Sequence, residues 1–135
     1  MADGKMEHVT ILIMDDAAVI RKLIADLLSE IENVDRILQA EDALSAVRLF
    51  AEYKPQIAIL DIKVPGGDGL KNGIDVLKTI KKSYPTSVIM LTNHANAKYS
   101  MECKQAGADF FFDKSTEFDR VPDAVFEIIQ KNAAQ

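Results

Sequence analysis

The chain has 135 residues, 48% of them apolar and 27% charged, which gives one domain with a real core and argues against intrinsic disorder. Its net charge is −5 with no basic run, which argues against direct nucleic-acid binding. One cysteine, Cys103, excludes an internal disulfide, and no apolar run reaches membrane-spanning length, so a cytoplasmic protein without membrane insertion is expected.

Met1 to Glu7 is polar and reads as a flexible N-terminal tail ahead of a domain over residues 8–135. His8 to Met14 is an apolar run that predicts the first strand, and it stops at Asp15-Asp16. Asp16 is placed to cap the helix that follows, whose apolar stripe is Ile20, Leu23, Ile24, Leu27, Leu28 and Ile31. Val34 to Ala40 predicts a second, poorly alternating strand. Glu41-Asp42 opens a helix carried by Ala43, Val47 and Phe50, which ends before Pro55.

Ile57 to Leu60 is four apolar residues ending in Asp61, the pattern of a strand buried on both faces. A turn-rich loop, Val64 to Gly69, follows it. Ile74, Leu77 and Ile80 mark a third helix, closed by Tyr84-Pro85. Ser87 to Leu91 predicts strand four, ending at Thr92. A weakly amphipathic helix spans roughly 96–106, with Gly107 as its stop. Asp109 to Asp113 predicts strand five, ending at Lys114. The last helix carries Pro122 in its first turn and a stripe of Val121, Ala124, Val125, Ile128 and Ile129.

Strands alternating with helices predict an α/β fold with a parallel sheet and helices on both faces. In such sheets ligands sit at the carboxyl ends of the strands. There the sequence delivers Asp15, Asp16, Asp61, Thr92 and Lys114. Three converging carboxylates repel one another unless a proton or a cation sits among them. Mg2+, or Mn2+ in its place, suits oxygen ligands that include phosphate. A metal, a lysine and a hydroxyl around a carboxylate match the needs of a transferring phosphoryl group.

With these residues in order, the sequence resembles the stand-alone receiver domain of a two-component response regulator, of the chemotaxis type and flavodoxin-like fold. The matching pieces are Asp15-Asp16, Asp61, the Pro65-Gly66-Gly67-Asp68-Gly69 loop, Thr92 and Lys114. The resemblance implies a single doubly wound, five-stranded parallel sheet of order 2-1-3-4-5 with five helices on two faces. It implies that Asp61 accepts a phosphoryl group from a histidine kinase or a histidine phosphotransfer protein. Asp16 and Asp61 would ligate Mg2+ directly, Asp15 through water, and the Lys63 backbone carbonyl would complete the protein ligands. Thr92 would close on the phosphoryl group, Lys114 would pair with it, and Phe111 holds the aromatic switch position. Lys63 and His94 occupy the positions that tune phospho-lifetime. The output face would be helix four, strand five and helix five, presented to a downstream protein effector by a monomer or weak dimer. No length remains for an output domain, and turnover beyond phosphoryl acceptance and slow hydrolysis is not expected.

The sequence departs from the family pattern at four places. Ser115 follows Lys114 where many relatives carry a cis proline. Leu70-Lys71-Asn72-Gly73 lengthens the loop after Asp61, Phe111 lacks a tyrosine hydroxyl, and Asn93 follows Thr92 in place of a smaller residue. Three other readings compete. An aspartyl phosphatase needs a second acid where Lys63 stands. A flavodoxin-like cofactor module is disfavoured by Asp15-Asp16 in the place of a phosphate loop. A phosphorylation-independent docking module leaves the acidic set unexplained. Residue by residue, the plain alternatives are an N-cap for Asp16, an exposed ion pair with Asp113 for Lys114, and solvated positions for His8 and His94. Cys103, Phe110 and Phe112 read as packing residues, and Phe126 lies off the stripe of its helix.

Overall fold

Near-continuous apolar runs form the sheet, and amphipathic segments between them form the covers. The computed structural model describes residues 8–133, and the tail expected over Met1–Glu7 lies outside them. The elements are β1 Val9–Met14, α1 Ala18–Leu28, β2 Val34–Ala40, α2 Ala43–Tyr53, β3 Ile57–Leu60, α3 Gly73–Ser83, β4 Ser87–Thr92, α4 Ala97–Gln105, β5 Phe110–Asp113 and α5 Val121–Ala133. The strands are parallel and lie in the order β2-β1-β3-β4-β5. This is the expected doubly wound α/β architecture, with the chain reversing direction across the sheet at β1 and β3.

Strand alternation sorts the core into two layers. Leu12, Met14, Ala58, Leu60, Val88 and Met90 pack with Ala43, Phe50, Leu77, Ile80 and Cys103 from α2, α3 and α4. Ile11, Ile13, Ile57, Ile59, Ile89 and Leu91 pack with Ile24, Leu28, Val125 and Ile129 from α1 and α5. Each large aliphatic side chain removed from water contributes about 2 kcal/mol by transfer. Phe110 and Phe112 join the second layer, with ring centroids 5.7 Å apart, while Phe111 on the opposite face packs against the first. Cys103 is a buried packing residue, and burial pushes its thiol up to about 11. Among the described residues no helix is long and apolar enough to cross a membrane.

Helix boundaries follow local chemistry. Asp42 caps α2, accepting the Ser45 backbone N–H at 2.8 Å, and Asn72 caps α3 by accepting the N–H of Ile74 at 2.9 Å. Asn96 caps α4 through the Tyr99 N–H at 2.8 Å, so the helix proper begins at Ala97. Gly107, at φ +103°, ends that segment in a conformation that favours glycine. A 3₁₀ turn over Phe118–Arg120 leads into α5 and has no signature of its own in the sequence.

Three expectations are corrected. Asp16 does not cap α1: the N-cap is Ala17, and the side chain that accepts the Ala17 N–H, at 2.9 Å, belongs to Asp15. The α1 stripe is narrower than its periodicity suggests. Ile24 and Leu28 point at the sheet, while Leu23 and Leu27 are 48% and 41% exposed. β5 starts at Phe110, because the Asp109 side chain turns aside to accept the Val88 N–H at 2.8 Å.

Candidate functional site

The sheet register builds the site. Met14 pairs with Leu60 across β1 and β3, so the next residue of each strand, Asp15 and Asp61, emerges side by side. The Asp61 N–H continues the ladder by donating to the Met14 carbonyl at 3.0 Å. Thr92 pairs with Asp113 across β4 and β5, and the Lys114 N–H donates to the Thr92 carbonyl at 2.9 Å. Residues from four distant parts of the chain therefore share one edge.

Lys114 ties them together. Its Nζ donates to Asp15 Oδ2 at 2.5 Å and to Asp61 Oδ2 at 2.8 Å. Side-chain exposure is 10% for Lys114, 3% for Asp15 and 8% for Asp61, so these are charge-assisted bonds largely screened from water. Burial pulls the Lys114 ammonium down, but the hydrogen bonds and charges of Asp15 and Asp61 together hold it above the ordinary lysine value. Asp113, the rival partner, is occupied elsewhere. It accepts the Ser115 N–H at 2.9 Å and the Ser115 hydroxyl at 2.6 Å, which lowers its carboxyl below the ordinary value. Ser115 thus shapes the loop after β5 without a cis peptide bond among the described residues.

The carboxylates of Asp15, Asp16 and Asp61 offer ligand oxygens within 4.8 Å of one another. Asp16 is exposed and makes no hydrogen bond or ion pair among the described residues. Three carboxylates face one ammonium, so negative charge is in excess, and every side-chain donor in the set is a carboxylate oxygen. That donor set fits a hard divalent cation. Asp61 Oδ1 also accepts the Ile62 N–H at 2.7 Å, which fixes the carboxylate plane.

Thr92 is fully buried, and its Oγ1 accepts the His94 N–H at 3.1 Å. Its own O–H is left to donate. The His94 ring is exposed and makes no bond among the described residues. Lys63 is exposed, and its Nζ lies 5.4 Å from the centroid of the Tyr99 ring. Phe111 is half-buried beside Tyr99's layer of the core. Asn93 is exposed.

Two supporting residues carry no plain sequence signal. Arg21 donates to the Asp15 carbonyl at 2.7 Å and to Gln39 at 3.1 Å, pinning the end of β1 to β2. Gly73 lies so close to the end of β3 that a Cβ there would sit 1.8 Å from the Asp61 carbonyl oxygen. The Asn72-Gly73 pair at a helix start hints at it, but only the fold shows the approach. The lengthened loop is a small hairpin: Gly67 and Leu70 bridge antiparallel, with Asp68 at φ +55° and Gly69 at φ +86° between them. Those angles are the type I′ pattern that Asp-Gly favours.

A family model for the response regulator receiver domain matches residues 11–126. A protein-glutamate methylesterase/protein-glutamine glutaminase of Haloarcula marismortui is 33% identical over 141 aligned positions, covering 99% of this chain and 36% of that protein. The chain therefore spans about a third of the length of that relative. The response regulator domain of Thermotoga maritima CheB superposes with a TM-score of 0.76 at 30% identity, over 94% of this chain and 97% of that one. NtrX of Brucella abortus gives a TM-score of 0.78 at 29% identity, over 93% of this chain and 27% of that one.

Proposed function

Because this chain belongs to the response regulator receiver domain family, we propose that Asp61 accepts a phosphoryl group from the phosphohistidine of a histidine kinase or histidine phosphotransfer protein. The observation that carries this reading is the pairing of Lys114 with both Asp15 and Asp61 while Asp16 stands free beside them. A structural ion pair would need one carboxylate. Three, with a surplus of negative charge, make a seat for a cation and for the oxygens it neutralises.

An Asp61 carboxylate oxygen forms the new bond to phosphorus. The bond to the donor imidazole breaks with its electron pair going to the ring nitrogen, which takes a proton from water. Mg2+, or Mn2+ in its place, would be held by Asp16, Asp61 and the Lys63 carbonyl, with Asp15 through water, and supplies charge neutralisation at the phosphoryl oxygens. Lys114 moves its ammonium from the Asp61 carboxylate to a phosphoryl oxygen, and Thr92 donates its free O–H to another. These contacts exist only in the modified state, so they shift the population between two conformations of the α4–β5–α5 face. Phe111 follows the movement of Thr92 by packing alone, since it has no hydroxyl to release. The shifted face is read by a protein effector. Water later attacks phosphorus, phosphate leaves, and Asp61 returns as a carboxylate. Lys63 and His94 flank that attack and tune its rate.

Intact mass after incubation with acetyl phosphate and Mg2+ tests the reading. Wild type gains one phosphoryl group and Asp61→Asn gains none. A phosphorylated histidine kinase serves as donor if small donors are refused. No gain from either donor, or a gain that persists in Asp61→Asn, removes the proposal.

A further inference from the structure

The proposed chemistry leaves one cation near the acceptor without a task while Asp61 is unmodified, and the structure gives it one. The Lys63 ammonium lies over the Tyr99 ring, 5.4 Å from its centroid, within the range of a cation–π contact. Lys63 has no other hydrogen bond or ion pair among the described residues. Its partner is the better anchored of the two. Tyr99 sits in the first turn of α4, its backbone N–H held by Asn96 at 2.8 Å and its ring packed against the same core layer as Phe111. At the other end, Ile62 is fully buried and its N–H is bonded to Asp61 Oδ1, so the backbone leading into Lys63 is fixed to the acceptor. Only the four-carbon lysine stem is free to move.

We propose that Tyr99 is a positioning residue for Lys63: its ring holds the ammonium on the α4 side while Asp61 is unmodified, and a phosphoryl group on Asp61 draws the ammonium off. This rests on the Asp61 reading above. Before modification Lys114 already serves two carboxylates, and the exposed ammonium of Lys63 gains from a nearby aromatic face. After modification a new anion with a full charge faces it two residues away, and a charge outweighs a ring quadrupole. The first turn of α4 then loses a contact whenever the site is charged. By reciprocity, the ring's hold on Lys63 opposes the modified state. Freeing the lysine leaves it beside the phosphoryl group, where it screens attack by water.

Proton resonances of the Lys63 ε-methylene read the contact without reference to activity. In the unmodified chain they are shifted upfield by the ring current of Tyr99. Tyr99→Phe keeps that shift and Tyr99→Leu abolishes it. Adding acetyl phosphate and Mg2+, with the mass gain checked on the same sample, returns the resonances of wild type to the values of an exposed lysine. Because the ring's hold opposes modification and is already broken in the aspartyl phosphate, Tyr99→Leu speeds phosphoryl acceptance about two- to fivefold, the range of an exposed cation–π contact, leaves hydrolysis unchanged, and has no such effect in Lys63→Met. Absence of the upfield shift in wild type overturns the proposal, as does a shift that persists after a verified mass gain. No mass gain from acetyl phosphate or from a phosphorylated histidine kinase overturns the Asp61 reading itself, and the transfer of Lys63 falls with it.

Discussion

Lys114 pairs with both Asp15 and Asp61, and both carboxylates are nearly sealed from water. Removing the ammonium while leaving the methylene stem strands them. Lys114→Met is therefore expected to destabilise the metal-free protein by about 3 kcal/mol, the cost of breaking one side of a buried pair. Urea unfolding in a chelator, compared with wild type, measures it. The sign with pH follows from the raised ammonium. Its contribution is fully present below the ordinary lysine value of 10.5 and is lost only as pH rises through its higher folded value. The difference between wild type and variant should thus stay flat across neutral pH. Gly73 is the second sensitive residue. Adding one methyl would place it 1.8 Å from the Asp61 carbonyl oxygen, an atom of the backbone that cannot swing aside. Gly73→Ala is expected to cost about 2 kcal/mol and to slow phosphoryl acceptance, because relief of the clash moves the acceptor strand. A variant with wild-type stability and rate would show that this close approach does not matter.

At the scale of the element, caps and strand ends decide what the sequence makes legible. Asp42, Asn72 and Asn96 each precede a helical pattern and each caps it. Asp16 has the same appearance and does not, because Ala17 takes the extended cap conformation and Asp15 receives its N–H. The choice between adjacent aspartates depends on where β1 ends, a property of pairing with β2 and β3. The α1 stripe misleads in part for a related reason: helical period identifies candidates for burial, but contact with the sheet buries Ile24 and Leu28, takes Ile20 and Ile31 at its margin, and leaves Leu23 and Leu27 exposed. The four-residue run of β3 is legible because both its faces are buried, so no polar residue interrupts it. Hydrogen bonds from the Ser45 hydroxyl and backbone N–H lower the Asp42 carboxyl below the ordinary 3.8. A lowered carboxyl contributes stability above its unfolded value and loses it as pH falls through the folded one. Asp42→Ala should cost about 1 kcal/mol at pH 7, and the gap to wild type should close below pH 3.8. Equal losses at pH 7 and pH 2.5 in urea unfolding would count against the cap.

Over the whole molecule, topology converts scattered residues into a site. The order β2-β1-β3-β4-β5 sets β1 and β3 at the centre and brings the residues that follow β1, β3 and β5, together with the last residue of β4, to one edge. That convergence was legible from the alternation of elements, since parallel strands leave all their carboxyl ends together. The pairing of Lys114 was not, because Asp113 lies next to it in sequence and Asp15 lies 99 residues away. On the proposed reading, this edge directs a phosphoryl group to Asp61. Borohydride reduction of the phosphorylated chain, followed by peptide sequencing, locates an acyl phosphate by turning its aspartate into homoserine. Homoserine is expected at position 61, with an unreduced carboxylate at Asp15 and Asp16. Homoserine at either of those two, or at none of the three in a chain that has gained a phosphoryl group, would contradict that reading.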